Sequence, residues 1–286
     1  KLIQLEMQPT VEAGEIPVLG GFIAASQGGE TTTLGRGGSD YSAALVGAAL
    51  KAREIQIWTD VTGVLTTDPR LVPEARTLPV LSYEEAAELA YFGAKVLHPK
   101  TIQPAVDYRI PVRVCNSHAP GEKGTMVLAE SGESSNKIKA IAHKKGITIL
   151  RVSSARMLGS YGFMSALFQV FERHRTVIDV ISTSEVSLAL TIDNAHALEQ
   201  VVEDLKRLGR VEIEDGNAVV CVVGEGLRAS SGLAAKIFST IADVPISLIS
   251  HGASSVNLTF VVKENEVAAV VKRLHETFFD DDNSSK

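Results

Sequence analysis

With 286 residues, 45% hydrophobic and only 5% aromatic, the chain is long enough for two or three domains with sizeable cores. Its formal net charge of −6 and its scattered Lys and Arg exclude a nucleic-acid surface, and no apolar run reaches the roughly 18 residues of a membrane span. The two cysteines, Cys115 and Cys221, lie far apart in strand-like apolar runs, as expected of buried reduced thiols in a cytosolic protein.

In chain order, residues 16–24 read as a short strand that stops at Gly20-Gly21. The run Thr31-Thr32-Thr33-Leu34-Gly35-Arg36-Gly37-Gly38-Ser39-Asp40 follows, leading straight into an alanine-rich helix at 39–52. Glycines that free backbone N–H groups beside a helix N-terminus make a seat for an anion, and Arg36 adds a planar fork suited to carboxylate or phosphate. A plain helix cap by Ser39 or Asp40 is the alternative reading, but a cap does not call for three threonines and an arginine. A strand at 54–60 ends on Thr59-Asp60, and a loop with Gly63 and Asp68-Pro69-Arg70 comes next. Ser82, with Glu85 three residues on, marks a helix start of the capping-box type. That helix stops at Phe92-Gly93, another is expected at about 99–107, and a strand at 111–114. Strands alternating with helices predict a mainly parallel α/β sheet, in which ligands bind beyond the carboxyl ends of the strands, where Thr59 and Asp60 fall.

Residues 129–136 are small, polar and without pattern, and read as a linker. Beyond them the chain repeats: Ile178, Ile181, Ser182, Ser187, Leu190 and Thr191 recur as Ile246, Ile249, Ser250, Ser255, Leu258 and Thr259, at a constant shift of 68. Strands at 147–152 and 217–223 open two units, with helices at 163–174, 195–208, 232–242 and 264–278, and a strand at 210–214 closes the first. Each unit has the β-α-β-β-α-β order of the ferredoxin-like split-βαβ motif. The second lacks a closing strand of its own, so the spare strand at 138–143 is expected to complete it and interleave the two.

Taken together, Thr31 to Asp40, Trp58-Thr59-Asp60-Val61, Thr66-Thr67-Asp68-Pro69-Arg70, the stretch Phe92-Gly93-Ala94-Lys95-Val96-Leu97-His98-Pro99 and Thr183-Ser184-Glu185-Val186-Ser187 make the chain resemble the aspartokinases over essentially its whole length. The resemblance implies the C-terminal half of an amino-acid-kinase parallel-sheet α/β domain (1–129), a linker (130–137), and two ferredoxin-like ACT α+β domains (138–215 and 216–280) before an acidic tail (281–286). It implies ATP-dependent phosphorylation of the aspartate β-carboxylate, with Mg2+, on the route to lysine, threonine and methionine. Arg36, Gly37, Gly38 and Ser39 would then bind aspartate and Asp40 would organise the reaction centre. Thr59, Asp60, Leu65, Arg70 and Lys95 would meet the nucleotide, Leu65 standing where the family has an aromatic residue. His98 is read as structural. Taken singly, Asp60 could be a strand-end cap, Arg70 a solvated turn residue and Lys95 a helix C-terminal charge.

ACT domains bind an amino acid between the first strand–helix turn and the second strand. Here that would involve Met157, Ser160, Gly162, Phe163, Met164, Asp179, Ser184 and Glu185, with Gly162 opening the helix and Asp179 pairing with an amino group. One effector site per chain is expected, in the first unit, with lysine as its ligand and threonine as the competitor. Asp179→Ala would abolish lysine binding. Homo-oligomers through the ACT domains are implied, in the cytoplasm, or in a plastid for a plant protein. The family's Lys-Phe-Gly-Gly-Thr-Ser segment is absent, so the chain begins midway through the kinase domain and on its own would have negligible kinase activity. A non-catalytic, amino-acid-sensing subunit of an aspartokinase is the alternative; an acetylglutamate or glutamate kinase would lack the doubled ACT unit.

Overall fold

The computed structural model describes residues 2–35, 37–93, 97, 101–132, 137–193 and 196–280. The expectations for Arg36, Lys95, His98 and the 281–286 tail therefore lie outside the described residues. The chain divides into two compact units, Lys1–Ala140 and Ile141–Lys286.

The first unit begins with α1 (Leu2–Glu12), which the sequence reading did not anticipate, and a small hairpin of β1 (Ile23–Ala25) and β2 (Thr31–Thr33). The strand expected at 16–24 is confined to its last residues and Ala25, because Phe22 takes a left-handed backbone (φ 74°) just after the Gly20-Gly21 pair. Then come α2 (Gly38–Ala49), β3 (Ile55–Thr59), β4 (Val80–Ser82), α3 (Tyr83–Tyr91), α4 (Gln103–Asp107), β5 (Val112–Asn116) and β6 (Thr125–Leu128). The sheet order is β3-β5-β6-β4. β3 pairs with β5 and β4 with β6 in parallel, while β5 and β6 run antiparallel, so the sheet is mixed, with two of three pairings parallel. Leu81, Val112, Val114 and Val127, fully buried, form its core. At α3, Ser82 Oγ accepts from Glu85 N (3.1 Å) and Glu85 Oε2 accepts from Ser82 N (2.7 Å), the capping box read from the sequence.

The second unit holds most of one six-stranded sheet, in the order β11-β12-β10-β7-β9-β8. Its strands are β7 (Ile138–Ser153), β8 (Ile181–Thr183), β9 (Ser187–Ile192), β10 (Arg210–Gly224), β11 (Leu248–His251) and β12 (Asn257–Lys263). The helices are α5 (Phe163–Arg173), α6 (Leu198–Lys206), α7 (Leu233–Thr240) and α8 (Val267–Phe279). Segments expected as separate strands, 138–143 with 147–152 and 210–214 with 217–223, are each one continuous strand, and these two long strands are neighbours at the middle of the sheet. Leu150, Leu167, Leu190, Val201 and Leu205, all fully buried, centre the core between this sheet and the pair α5 and α6.

The repeat is real, but its spacing is not constant. Gly162 caps α5 and Gly232 caps α7, a shift of 70, whereas β8 and β11 stand 68 apart. The register then returns to 70, since Ile181 pairs with Leu190 but Ile249 with Phe260. The second copy has a shorter first helix and a hairpin turn two residues longer. The matches at 178, 181 and 182 therefore fall on equivalent backbone, whereas Ser187, Leu190 and Thr191 do not align with Ser255, Leu258 and Thr259. A shift of two keeps every side chain on its own face, which is why both patterns bury well.

Candidate functional site

In the first unit, chemistry collects where parallel strands end. β3 and β5 run in register, so Thr59 lies beside Asn116. Thr59 Oγ1 donates to Asp60 Oδ1 (3.1 Å), and the Thr59 carbonyl accepts from both Ser117 N (2.8 Å) and Ser117 Oγ (3.0 Å). Asn116 Oδ1 accepts from His118 N (2.9 Å). Asp60 itself is exposed. Sequence reasoning passed over Asn116 and Ser117; two polar residues closing an apolar strand were the available sign.

The loop after β3 is pinned from β6. Thr125, fully buried, accepts from Val64 N (2.9 Å) and donates to the Leu78 carbonyl (2.7 Å). Gly63 sits at φ 129° with its Cα facing the Thr125 hydroxyl, so any side chain there would collide with it. Leu65, bridged to Thr77, and Arg70 are displayed by this loop. The Arg70 side chain is 87% exposed and gripped by Asp68, Nε at 3.0 Å and Nη2 at 2.7 Å, a fork–fork pairing that orients the guanidinium.

At the glycine-rich turn, α2 is capped by Gly37 in the left-handed conformation (φ 71°), with no side-chain cap. Ser39 and Asp40, weighed as caps from the sequence, lie instead within the first turn. A Cβ on Gly37 would come within 2.5 Å of Thr101 Cγ2, so the residue is needed for both conformation and space. Ser39 is exposed, Gly38 buried and Asp40 partly buried. Burial raises the Asp40 carboxyl above the usual range. Among the described residues no group of three His, Cys, Asp or Glu is placed to hold a metal.

The second unit contains a cavity of about 290 Å³. One wall is the turn before α5, with Met157, Leu158, Gly159 and Ser160; Phe163 and Met164 come from the helix, and Thr183, Ser184 and Glu185 from the end of β8 and its turn. Gly162 caps α5 in the left-handed conformation (φ 82°) without a side-chain bond, so the first-turn N–H groups have no side-chain cap. Opposite, the β8–β9 turn is tied by Ser184 N to the Ser187 carbonyl (2.8 Å) and by the Ser184 and Ser187 hydroxyls (2.7 Å). Met157, Phe163 and Met164 line the cavity and also pack on the core of this unit, so the same side chains serve the core and face the cavity.

Six of the eight anticipated effector residues thus come together, and Leu158, Gly159 and Thr183 join them. Gly162 supplies the helix cap rather than a wall. Asp179 is placed elsewhere: its side chain is 1% exposed and stands 3.4 Å from Lys144, which also pairs with Asp193 (2.7 Å). In the second copy, Leu227 is buried, and Ser247, the counterpart of Asp179, bonds through its hydroxyl to Glu214 (3.4 Å).

A partly parallel sheet with strand-end polar groups, in a chain that also carries a sheet of two split-βαβ units, defines an α/β protein with ferredoxin-like modules. Residues 2–116 match the amino acid kinase family, and residues 220–278 match the ACT domain. The chain is 41% identical over 288 residues to lysine-sensitive aspartokinase 3 of Escherichia coli, covering 98% of this chain and 64% of that protein. It is 40% identical over 283 residues to the chloroplastic aspartokinase 1 of Arabidopsis thaliana, covering 95% of this chain and 50% of that one. The crystal structure of E. coli aspartokinase III with aspartate and ADP (R-state) superposes with a TM-score of 0.83 at 41% identity, over 96% of this chain and 63% of that one. The T-state structure with lysine and aspartate gives 0.84 at 42% identity, over 97% and 63%. The chain spans between half and two-thirds of the length of these relatives. No described helix is long and apolar enough to cross a membrane.

Proposed function

We propose that this chain is the regulatory half, with part of the catalytic half, of an aspartate kinase whose activity is set by an amino acid bound in the second unit. The cavity at the α5 N-terminus carries the reading. The first-turn N–H groups and the positive end of the helix suit an α-carboxylate. Met157, Phe163 and Met164 suit an aliphatic stem, and Glu185 suits an ammonium group. A cavity of about 290 Å³ is of the right order for one amino acid. Those three features in one place favour lysine over threonine, whose short side chain would leave Glu185 without a partner. Asp179 enters only if Lys144 moves.

On the kinase side, ATP supplies the transferable γ-phosphoryl group, and the protein's part is positioning and charge neutralisation. In this reading Arg36, Gly37, Gly38 and Ser39 hold the aspartate and Asp40 orders the reaction centre. Thr59, tied down by Ser117, and Asp60, bonded to the Thr59 hydroxyl, face the nucleotide. Leu65 gives it apolar contact, and Arg70 and Lys95 meet its phosphates; Mg2+ would come with those phosphates. The second ACT copy acts as scaffold, and strand 138–143 completes it.

Isothermal titration of L-lysine into the chain tests the effector site. Glu185→Gln should weaken binding about tenfold, a loss in the range of one buried charge-assisted bond. Unchanged affinity, or binding of L-threonine in place of lysine, would refute the assignment.

A further inference from the structure

Lys139 and Glu85 are among the most deeply buried charged side chains described, 7% and 1% exposed. Lys139 Nζ stands 2.9 Å from both carboxylate oxygens of Glu85 and 2.6 Å from Ser131 Oγ. Only Oε2 takes an aligned hydrogen bond from it; Oε1 is held by charge alone. Charges this deep are kept only when paired, and an apolar pair of similar volume is often at least as stable, so simple packing does not account for an ion pair at this place.

The surroundings suggest what the pair does. Glu85 Oε2 is also the acceptor that closes the capping box of α3, bonding Ser82 N at 2.7 Å. A displacement of the Lys139 ammonium therefore acts directly on the start of α3. That helix ends at Tyr91, and Phe92, 5% exposed, and Gly93 lead within two residues to Lys95. Lys139 is the second residue of β7, a single strand that continues without a break to Ser153. Five residues further on, Lys144 is held by Asp179 and Asp193. Asp179 belongs to the segment that becomes β8, whose last residue, Thr183, lines the cavity.

We propose that the Lys139–Glu85 pair latches β7 to α3, and that it is the positioning pair through which a ligand in the cavity acts on α3 and the Phe92-Gly93 turn that ends it. The second half of this statement rests on the effector reading above; the first does not. Neither residue is assigned contact with substrate.

Hydrogen exchange on the chain with and without L-lysine tests it, alongside titration of lysine. The variant is Lys139→Met/Glu85→Gln, in which glutamine keeps the capping box and no buried charge is stranded. In the wild type, saturating lysine should change exchange in residues 83–93 by about threefold or more. In the variant, lysine affinity should stay within about threefold and the response in 141–153 should persist, while that in 83–93 vanishes. A response in 83–93 that survives in a folded variant overturns the proposal, as does a wild type that binds lysine with no change there. If lysine does not bind the wild type, the effector reading falls and the signalling half with it. The latch is then judged without ligand: exchange in 83–91 and 138–140 should rise together in the variant, with 55–59 unaffected. A rise in one alone overturns it.

Discussion

Thr125→Val removes one hydroxyl and leaves the shape of the side chain almost unchanged. That hydroxyl bonds Val64 N and the Leu78 carbonyl from a fully buried position, so the substitution strands a donor and an acceptor beside the loop that displays Leu65 and Arg70. Each stranded buried group costs about 1–3 kcal/mol, and the second lone pair of the carbonyl offsets part, so a loss of about 2–4 kcal/mol is expected. Trp58 is the single tryptophan and lies in β3 of the same unit, which makes its fluorescence a local reporter of urea unfolding. With an m-value of about 2 kcal/mol/M, the midpoint of the Trp58 transition should fall by about 1–2 M. Thr125→Ser, which keeps the hydroxyl, should lose less than half of that. A shift for Thr125→Val below about 0.3 M, within the extrapolation error of such curves, would show that the hydroxyl does not hold the loop.

Two further outcomes concern charge. Burial raises the Asp40 carboxyl, so its ionised form is disfavoured in the fold and stability is lost as pH rises through the folded value. Asp40→Asn should therefore raise the Trp58 urea midpoint at pH 7, and the gain should shrink as pH falls toward about 4; a lower midpoint at pH 7 would contradict this. Asp204 has the opposite sign. His174 first, then Arg207 and Arg173, hold its carboxyl below the usual range, joining the end of α5 to α6. Its contribution is present above the unfolded value near pH 4 and lost as pH falls through the folded one. Asp204→Asn should lower the thermal midpoint followed by circular dichroism at pH 7 and have no effect near pH 3; an equal drop at both values would mean that charge is not the cause.

Local chemistry was the most legible part of the sequence. Ser82 and Glu85 announced a capping box because both halves of it lie within four residues, and Gly162 announced a helix entry for the same reason. The cavity residues were legible because they fall on one turn and one hairpin. What was not legible depended on distant partners. Nothing near Asp179 in sequence shows that Lys144, 35 residues earlier, occupies it. β4 and β6 have only three and four residues, too few to show a period, and exist because they pair with each other. The constant shift of 68 was a partial truth. Paired Ile, Ser and Thr residues recur readily in strands, and only the cross-strand registers reveal that the second hairpin turn is two residues longer.

The central strands of the six-stranded sheet are not consecutive in the chain. β7 leaves the ribosome some 70 residues before β10, its neighbour. At ordinary synthesis rates that gap lasts roughly 4–14 s, during which one edge of β7 has no strand to pair with. A chain cut before β10 would carry that open edge permanently, and open edges invite association with other chains. The arrangement makes the six-stranded sheet all-or-none: truncation within it should yield aggregates rather than a smaller folded unit, and evolution can exchange its loops far more freely than its length.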